Sequence, residues 1–186
     1  MHISLEKNQV ITLEKGGRTL TRIRLGLGWD AVKRRFGRQK DIDLDASVIV
    51  YGDGKALDVI YFGQLLSRDG AINHLGDNLT GDGDGDDEQI IIDLTQVDPR
   101  ADKLALVVTS YSGQSFDQVA NVYARVNDLN DSEEELARYN LADTGALTGV
   151  IVAKLTRVGD AWQFTALGIP AAGRTASNLI PTAFAV

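Results

Sequence analysis

Apolar residues recur along this chain in short, β-branched runs rather than at helical spacing. The runs cover residues 47–51, 59–62, 89–94, 104–109, 119–126, 149–158 and 162–167, and clusters of Gly, Asp and Asn separate them. Segments of that length and composition read as strands, and together they predict an all-β fold, an antiparallel β-sandwich with one or two short helices. The unbroken run Ile90, Ile91, Ile92 predicts a strand placed centrally in its sheet. One helix is announced by Ser132 followed by Glu133, Glu134 and Glu135, a hydroxyl at the N-cap and a carboxylate at N3, with an end expected between Leu141 and Asp143. Residues 169–186 carry a single charge, Arg174, and two prolines, Pro170 and Pro181, so irregular structure or a short helix is expected there. No repeat or low-complexity linker interrupts the 186 residues, which read as a single domain spanning 1–186.

Composition narrows the function classes. Apolar residues make up 44% and charged residues 24%, ordinary globular usage. The formal charge of −7 disfavours non-specific nucleic-acid binding, and no nucleic-acid partner is expected. The charge is also polarised: residues 15–40 hold nine Lys or Arg against the single acid Asp30, a local +8 that leaves −15 on the remainder. Within that stretch, residues 33–40 contain one aromatic, too few for a base-stacking platform. They read as a solvated loop, with an anion or partner patch as the alternative. The chain lacks cysteine, which removes disulfides, thiolate metal sites and cysteine nucleophiles together. No run approaches the roughly 18 apolar residues of a membrane span, and the N-terminus lacks a signal peptide's apolar segment, so a soluble, cytoplasmic protein is expected.

The candidate chemistry lies in residues 76–88, where Asp77, Asp82, Asp84, Asp86, Asp87 and Glu88 place six carboxylates within twelve positions. Two like charges about 4 Å apart repel by roughly 4 kcal/mol at an effective dielectric near 20, so an ordered loop of this kind calls for a cation. Gly81, Gly83 and Gly85 allow the backbone to curl round one. All the donors are oxygens, which suits calcium first and magnesium or manganese after it. The EF-hand pattern does not fit, because with Asp82 at position 1 the required glycine is Asp87. A solvated acidic turn is the competing reading; strand-like sequence resumes directly after Glu88, which pins the loop. A second acidic group at 41–47 opens a strand, and alternation puts Asp43 and Asp45 on one face, where they could complete a metal shell. His74 reads as a surface residue rather than a ligand. No phosphate-binding glycine loop and no nucleophile motif is present.

With these residues in view, the chain resembles the TerD family of tellurium-resistance and stress-response proteins. The resemblance rests on Gly26-Leu27-Gly28-Trp29-Asp30, on residues 43–47 and 61–70, on the acidic segment 76–88, and downstream on residues 121–126 and 135–139. It implies a calcium-binding β-sandwich, with metal residues carried over as Asp30, Asp43, Asp45, Asp77, Asn78, Asp82, Asp84, Asp86, Asp87 and Glu88. That many oxygens exceed one calcium's 6 to 8, so two ions are expected. No catalytic residue is implied. The expected role is a regulatory or scaffolding module in a bacterial stress response, with other stress-response proteins as partners, including at the inner face of the membrane. A metal-dependent enzyme acting on a phosphate or sugar is the alternative from a different class, and an anion sensor using the basic stretch is a third. The chain departs from the family pattern at 108–115 and at 171–186.

Overall fold

The computed structural model describes residues 10–12, 14–15, 18–19, 21–30, 42–79, 81, 85–130 and 133–186. Thirteen strands and one helix follow in order: β1 (Val10–Thr12), β2 (Glu14–Lys15), β3 (Arg18–Thr19), β4 (Arg22–Asp30), β5 (Leu44–Gly52), β6 (Lys55–Ile60), β7 (Ile72–His74), β8 (Glu88–Asp93), β9 (Lys103–Ser110), β10 (Ala120–Asp128), β11 (Glu135–Asn140), β12 (Gly149–Val158), β13 (Ala161–Ala171) and α1 (Ala176–Phe184). Two antiparallel sheets form the sandwich, one ordered β1-β13-β12-β9-β5-β6 and the other β11-β10-β4-β8-β7. The expected all-β sandwich is what the chain adopts, and the one α-helix among the described residues is short.

Strand alternation builds the core. Leu44, Ala46, Val48 and Val50 of β5 meet Ile23, Leu25, Leu27 and Trp29 of β4 across the sandwich, with Leu104, Leu106 and Val108 of β9 beside them. The opposite face of the six-stranded sheet is apolar as well, because α1 covers it: Ile49, Tyr51, Ala105, Val107 and Ile151 pack under Ala176, Leu179 and Ala183. Strands β5 and β9 are therefore buried on both faces, which explains their unbroken apolar runs. Ile90 and Ile92 face the core while Ile91 is half-buried, so β8 alternates although its sequence does not.

The strand reading needs correction at two places. The segment expected to be helical from Ser132 runs instead as strand β11 over 135–140, followed by a 3₁₀ turn at Leu141–Thr144; Ser132 itself lies outside the described residues. The free edge of β10 takes this segment in antiparallel register, pairing Ala124 with Tyr139 and Val126 with Ala137. Ala137 is thereby fully buried. A backbone ladder and a core position outweigh a local capping signal of about 1 kcal/mol. Strand β4 is the other difference, since residues 22–30 read as part of the basic stretch. Its Ile, Leu, Leu and Trp alternate with Arg22, Arg24, Gly26 and Gly28, and only the outward set shows charge.

Lys103 of β9 ties α1 down. Its Nζ donates to the carbonyls of Ala183 (3.1 Å) and Phe184 (2.6 Å), unsatisfied acceptors at the helix end, and to the backbone oxygen of Val186 just beyond it (3.2 Å). The same ammonium sits 4.9 Å from the Tyr51 ring centroid and 5.1 Å from that of Phe184. Replacing Lys103 by methionine is expected to cost about 1–2 kcal/mol, read as a lower urea midpoint with an unchanged slope. A midpoint within 0.2 M of the unsubstituted protein would show that these contacts add nothing net.

Candidate functional site

One end of the sandwich gathers the start of β5, the start of β8 and the ends of β7 and β9. The ladders set this arrangement: Leu44 faces Ser110, and His74 faces Ile90. There Asp43, Asp45 and Asp77 each place a carboxylate oxygen within 4.8 Å of the other two. Asp43 precedes β5, and its backbone is held on both sides: its N–H donates to Ser112 Oγ (3.0 Å) and its carbonyl accepts from the Tyr111 N–H (3.0 Å). Asp45 lies inside β5 at 3% exposure, opposite Thr109.

The cluster's electrostatics are unbalanced. Asp43 Oδ1 and Asp45 Oδ2 are buried without a hydrogen-bond partner. Burial pushes the Asp45 carboxyl up to about 8, with Glu88, Asp43 and Asp77 adding like-charge repulsion. Asp43 is raised too, by burial and then by Asp77. Burying a carboxylate without a partner costs several kcal/mol, so such a site is stabilised by a proton or by a metal cation.

The other residues of the acidic segment are engaged by the protein. Glu88, 1% exposed, opens β8 and reaches the other sheet. Because β6 pairs with β5 only from Val48 onward, the Ala46 N–H lies past the end of that ladder, and Glu88 Oε2 accepts it at 2.8 Å. Glu88 Oε1 accepts the Asn78 N–H at 3.3 Å. Burial raises the Glu88 carboxyl, opposed by His74 and by these two amides. Asp87 accepts the Trp29 N–H (2.9 Å) and the Asn78 Nδ2 (3.0 Å), and Asn78 Oδ1 accepts the Gly81 N–H (3.1 Å). Asp86 turns away from the cluster onto the outer face of the five-stranded sheet, where Arg125 binds it in a fork at 2.8 and 3.0 Å and the Tyr123 hydroxyl donates at 3.1 Å. Asp30, exposed, accepts Asn121 Nδ2 at 2.5 Å.

Of the ten residues carried over by resemblance, three thus share one point and five are tied elsewhere or around it. Asp82 and Asp84 lie outside the described residues, as do the basic residues 33–40. An open basin of about 600 Å³, lined in part by Asp77, Asn78, Asp87 and Leu79, adjoins the cluster. His74 is a correction: it is 2% exposed rather than a surface residue. Its Nδ1 accepts the Gly76 N–H (3.2 Å), and its Nε2 stands 3.5 Å from Glu88 Oε2. Sequence reasoning assigned no role to Ser112, Tyr123 or Arg125. For Arg125 a signal was present, because Gly26 and Gly28 on the outward face of β4 leave room for a neighbour: a side chain at Gly26 would collide with the Asp86 carboxylate and one at Gly28 with Tyr123.

Comparison with known proteins bears on the chain as a whole. A family model described as the TerD domain matches residues 1–178. The chain is 44% identical over 184 residues to the tellurium resistance protein TerZ of Serratia marcescens, covering 95% of this chain and 94% of that one. It is 46% identical over 184 residues to the stress response protein SCP2 of Bacillus subtilis, covering 90% and 92%. Among solved structures, a homologue of a telluride resistance protein from Streptomyces coelicolor superposes with a TM-score of 0.77 at 23% identity, over 88% of this chain and 98% of that one, which shows a shared fold. Among the described residues no helix is long and apolar enough to cross a membrane.

Proposed function

This chain belongs to the TerD family of tellurium-resistance and stress-response proteins, and on that premise we propose that it is a calcium-binding regulatory or scaffolding module of a bacterial stress response. The observation that carries the reading is the pair of buried carboxylate oxygens, Asp43 Oδ1 and Asp45 Oδ2, left without partners beside Asp77. The donor set is all oxygen, which fits a hard cation, and the 6 to 8 ligands of calcium can be completed by backbone carbonyls, water, Asp82 and Asp84. Asp43, Asp45 and Asp77 would hold the ion, while Asn78, Asp86, Asp87 and Glu88 shape the loop that brings Asp77 in. Calcium, when bound, would supply the positive charge that cancels the mutual repulsion of these carboxylates. Whether one ion or two bind is read from the stoichiometry.

The regulatory part of the reading is supported by what surrounds the cluster. Eight large hydrophobic side chains are exposed among the described residues. Six of them, Phe62, Leu65, Leu66, Leu75, Leu79 and Tyr111, sit on three of the loops at this end. Apolar side chains gathered on one rim mark an interaction surface, and other stress-response proteins are the proposed partners. Ion binding would alter the charge and the shape of that rim together.

Calorimetric titration of chelator-treated protein with calcium, repeated with magnesium, tests the reading. Micromolar or tighter calcium binding is expected, with magnesium weaker. At free calcium a hundredfold above the dissociation constant the folded state gains about 2.7 kcal/mol, which should raise the melting temperature by several degrees. No heat and no change in melting temperature would sink the proposal.

A further inference from the structure

The three clustered carboxylates come from parts of the fold that no strand ladder joins at this end. Asp45 belongs to the six-stranded sheet and Asp43 directly precedes its strand β5, whereas Asp77 lies three residues beyond β7 of the other sheet. Left to themselves, like charges would drive the Asp77 loop away. Glu88 spans the gap with a single side chain. Its Oε2 binds the N–H of Ala46, the residue after Asp45, and its Oε1 binds the N–H of Asn78, the residue after Asp77. His74 completes the frame: its Nδ1 accepts the N–H of Gly76, the residue before Asp77, while its Nε2 lies 3.5 Å from Glu88 Oε2. The backbone N–H groups of the residues before and after Asp77 are therefore held by His74 and Glu88, and both side chains are almost wholly buried.

We infer that Glu88 and His74 are positioning residues for the cation cluster, holding Asp77 against Asp43 and Asp45 without themselves binding the ion. The inference rests on the calcium reading above and deepens it. Glu88 stands outside the group of oxygens within 4.8 Å of one another, and each of its oxygens already serves a backbone amide. Weakening such a frame typically costs about 10- to 100-fold in metal affinity while every ligand remains in place.

The test uses the full chain and two measurements, calcium affinity by calorimetry and the number of metal-bound waters from terbium luminescence lifetimes in H₂O and D₂O. Glu88→Gln keeps one acceptor and presents an amide NH₂ to the other N–H. His74→Phe removes the acceptor for Gly76, whereas His74→Asn restores an acceptor near the Nδ1 position. Expected are calcium affinities weaker by roughly 10- to 100-fold for E88Q and H74F, near-complete rescue in H74N, and an unchanged water count in all three. One additional bound water in E88Q would make Glu88 a ligand and overturn the inference, as would unchanged affinity in H74F. Should E88Q fail to fold, the contrast between H74F and H74N decides alone. Absence of calcium and terbium binding in the unsubstituted protein would instead remove the calcium reading, and this inference with it.

Discussion

Replacing Arg125 by methionine is expected to destabilise the protein by about 3 kcal/mol, the lower end of the 3–5 kcal/mol seen when a buried ion pair loses one partner. The Asp86 side chain is fully buried, and the fork from Arg125 supplies two of its three hydrogen bonds, the Tyr123 hydroxyl supplying the third. Glycine at position 26 makes the pocket, since any side chain there would occupy the space of the carboxylate. Methionine fills the volume of the arginine stem but leaves the charge unpaired, and the arginine side chain's 25% exposure places the cost at the lower end rather than the upper. Arg125 also lies 3.7 Å from Glu135, which pairs with Arg138 at 2.8 Å, so the loop carrying Asp86 is anchored to β10 and β11 through charge. Urea denaturation of R125M, of D86N and of the double variant measures this. The double variant should recover most of the loss, because no unpaired buried charge remains. A single-variant loss below 1 kcal/mol would mean that water reaches Asp86 and the pair is worth no more than a surface one.

Asp45→Asn should move stability and binding in opposite directions. The Asp45 carboxyl sits at about 8 against an ordinary 3.8, mainly through burial and then through Glu88, Asp43 and Asp77. A carboxyl raised on folding contributes stability that is fully present below its unfolded pKa and is lost as pH rises through the folded value. Metal-free protein should accordingly lose stability between about pH 4 and pH 8, and D45N should lack that part of the slope and melt higher near pH 8. Calcium affinity should fall by more than about 100-fold, beyond the cost of disturbing a residue that only supports a ligand. Calcium binding below pH 8 should also release protons, visible as a binding heat that depends on the ionisation enthalpy of the buffer. Melting temperatures from pH 4.5 to 8.5, with and without calcium, for both proteins decide the matter. A flat metal-free profile, or a D45N protein that melts lower at pH 8, would contradict it.

The strands were legible where burial on two faces produced continuous apolar runs, as in β5 and β9, and six of the seven runs in the sequence fall largely within a strand, the run 59–62 leaving β6 after Ile60. Legibility failed where charge or capping chemistry masked period-2 alternation. Arg22 and Arg24 drew residues 22–30 into a basic stretch, although Ile23, Leu25, Leu27 and Trp29 alternate with them and all four are buried. At 132–143 the serine and three glutamates describe a helix start, but the exposed edge of β10 offers that segment a ladder no local signal could announce. His74 read as a surface residue because its partners, Gly76 and Glu88, are recognisable only once β7 and β8 are paired.

The sequence by itself determined the all-β class, the all-oxygen chemistry of the candidate site and the concentration of negative charge that calls for a cation, because each depends on residue type and spacing within a dozen positions. Family membership was legible for the same reason, being carried by contiguous motifs. Only the tertiary structure decided which carboxylates share a point. Asp43 and Asp45 meet Asp77 across two sheets, while Asp86, only two residues before Glu88, turns the other way to Arg125. A carboxylate's role follows from the donors and charges within a few ångströms of it, and here most of those come from residues tens of positions away in the chain.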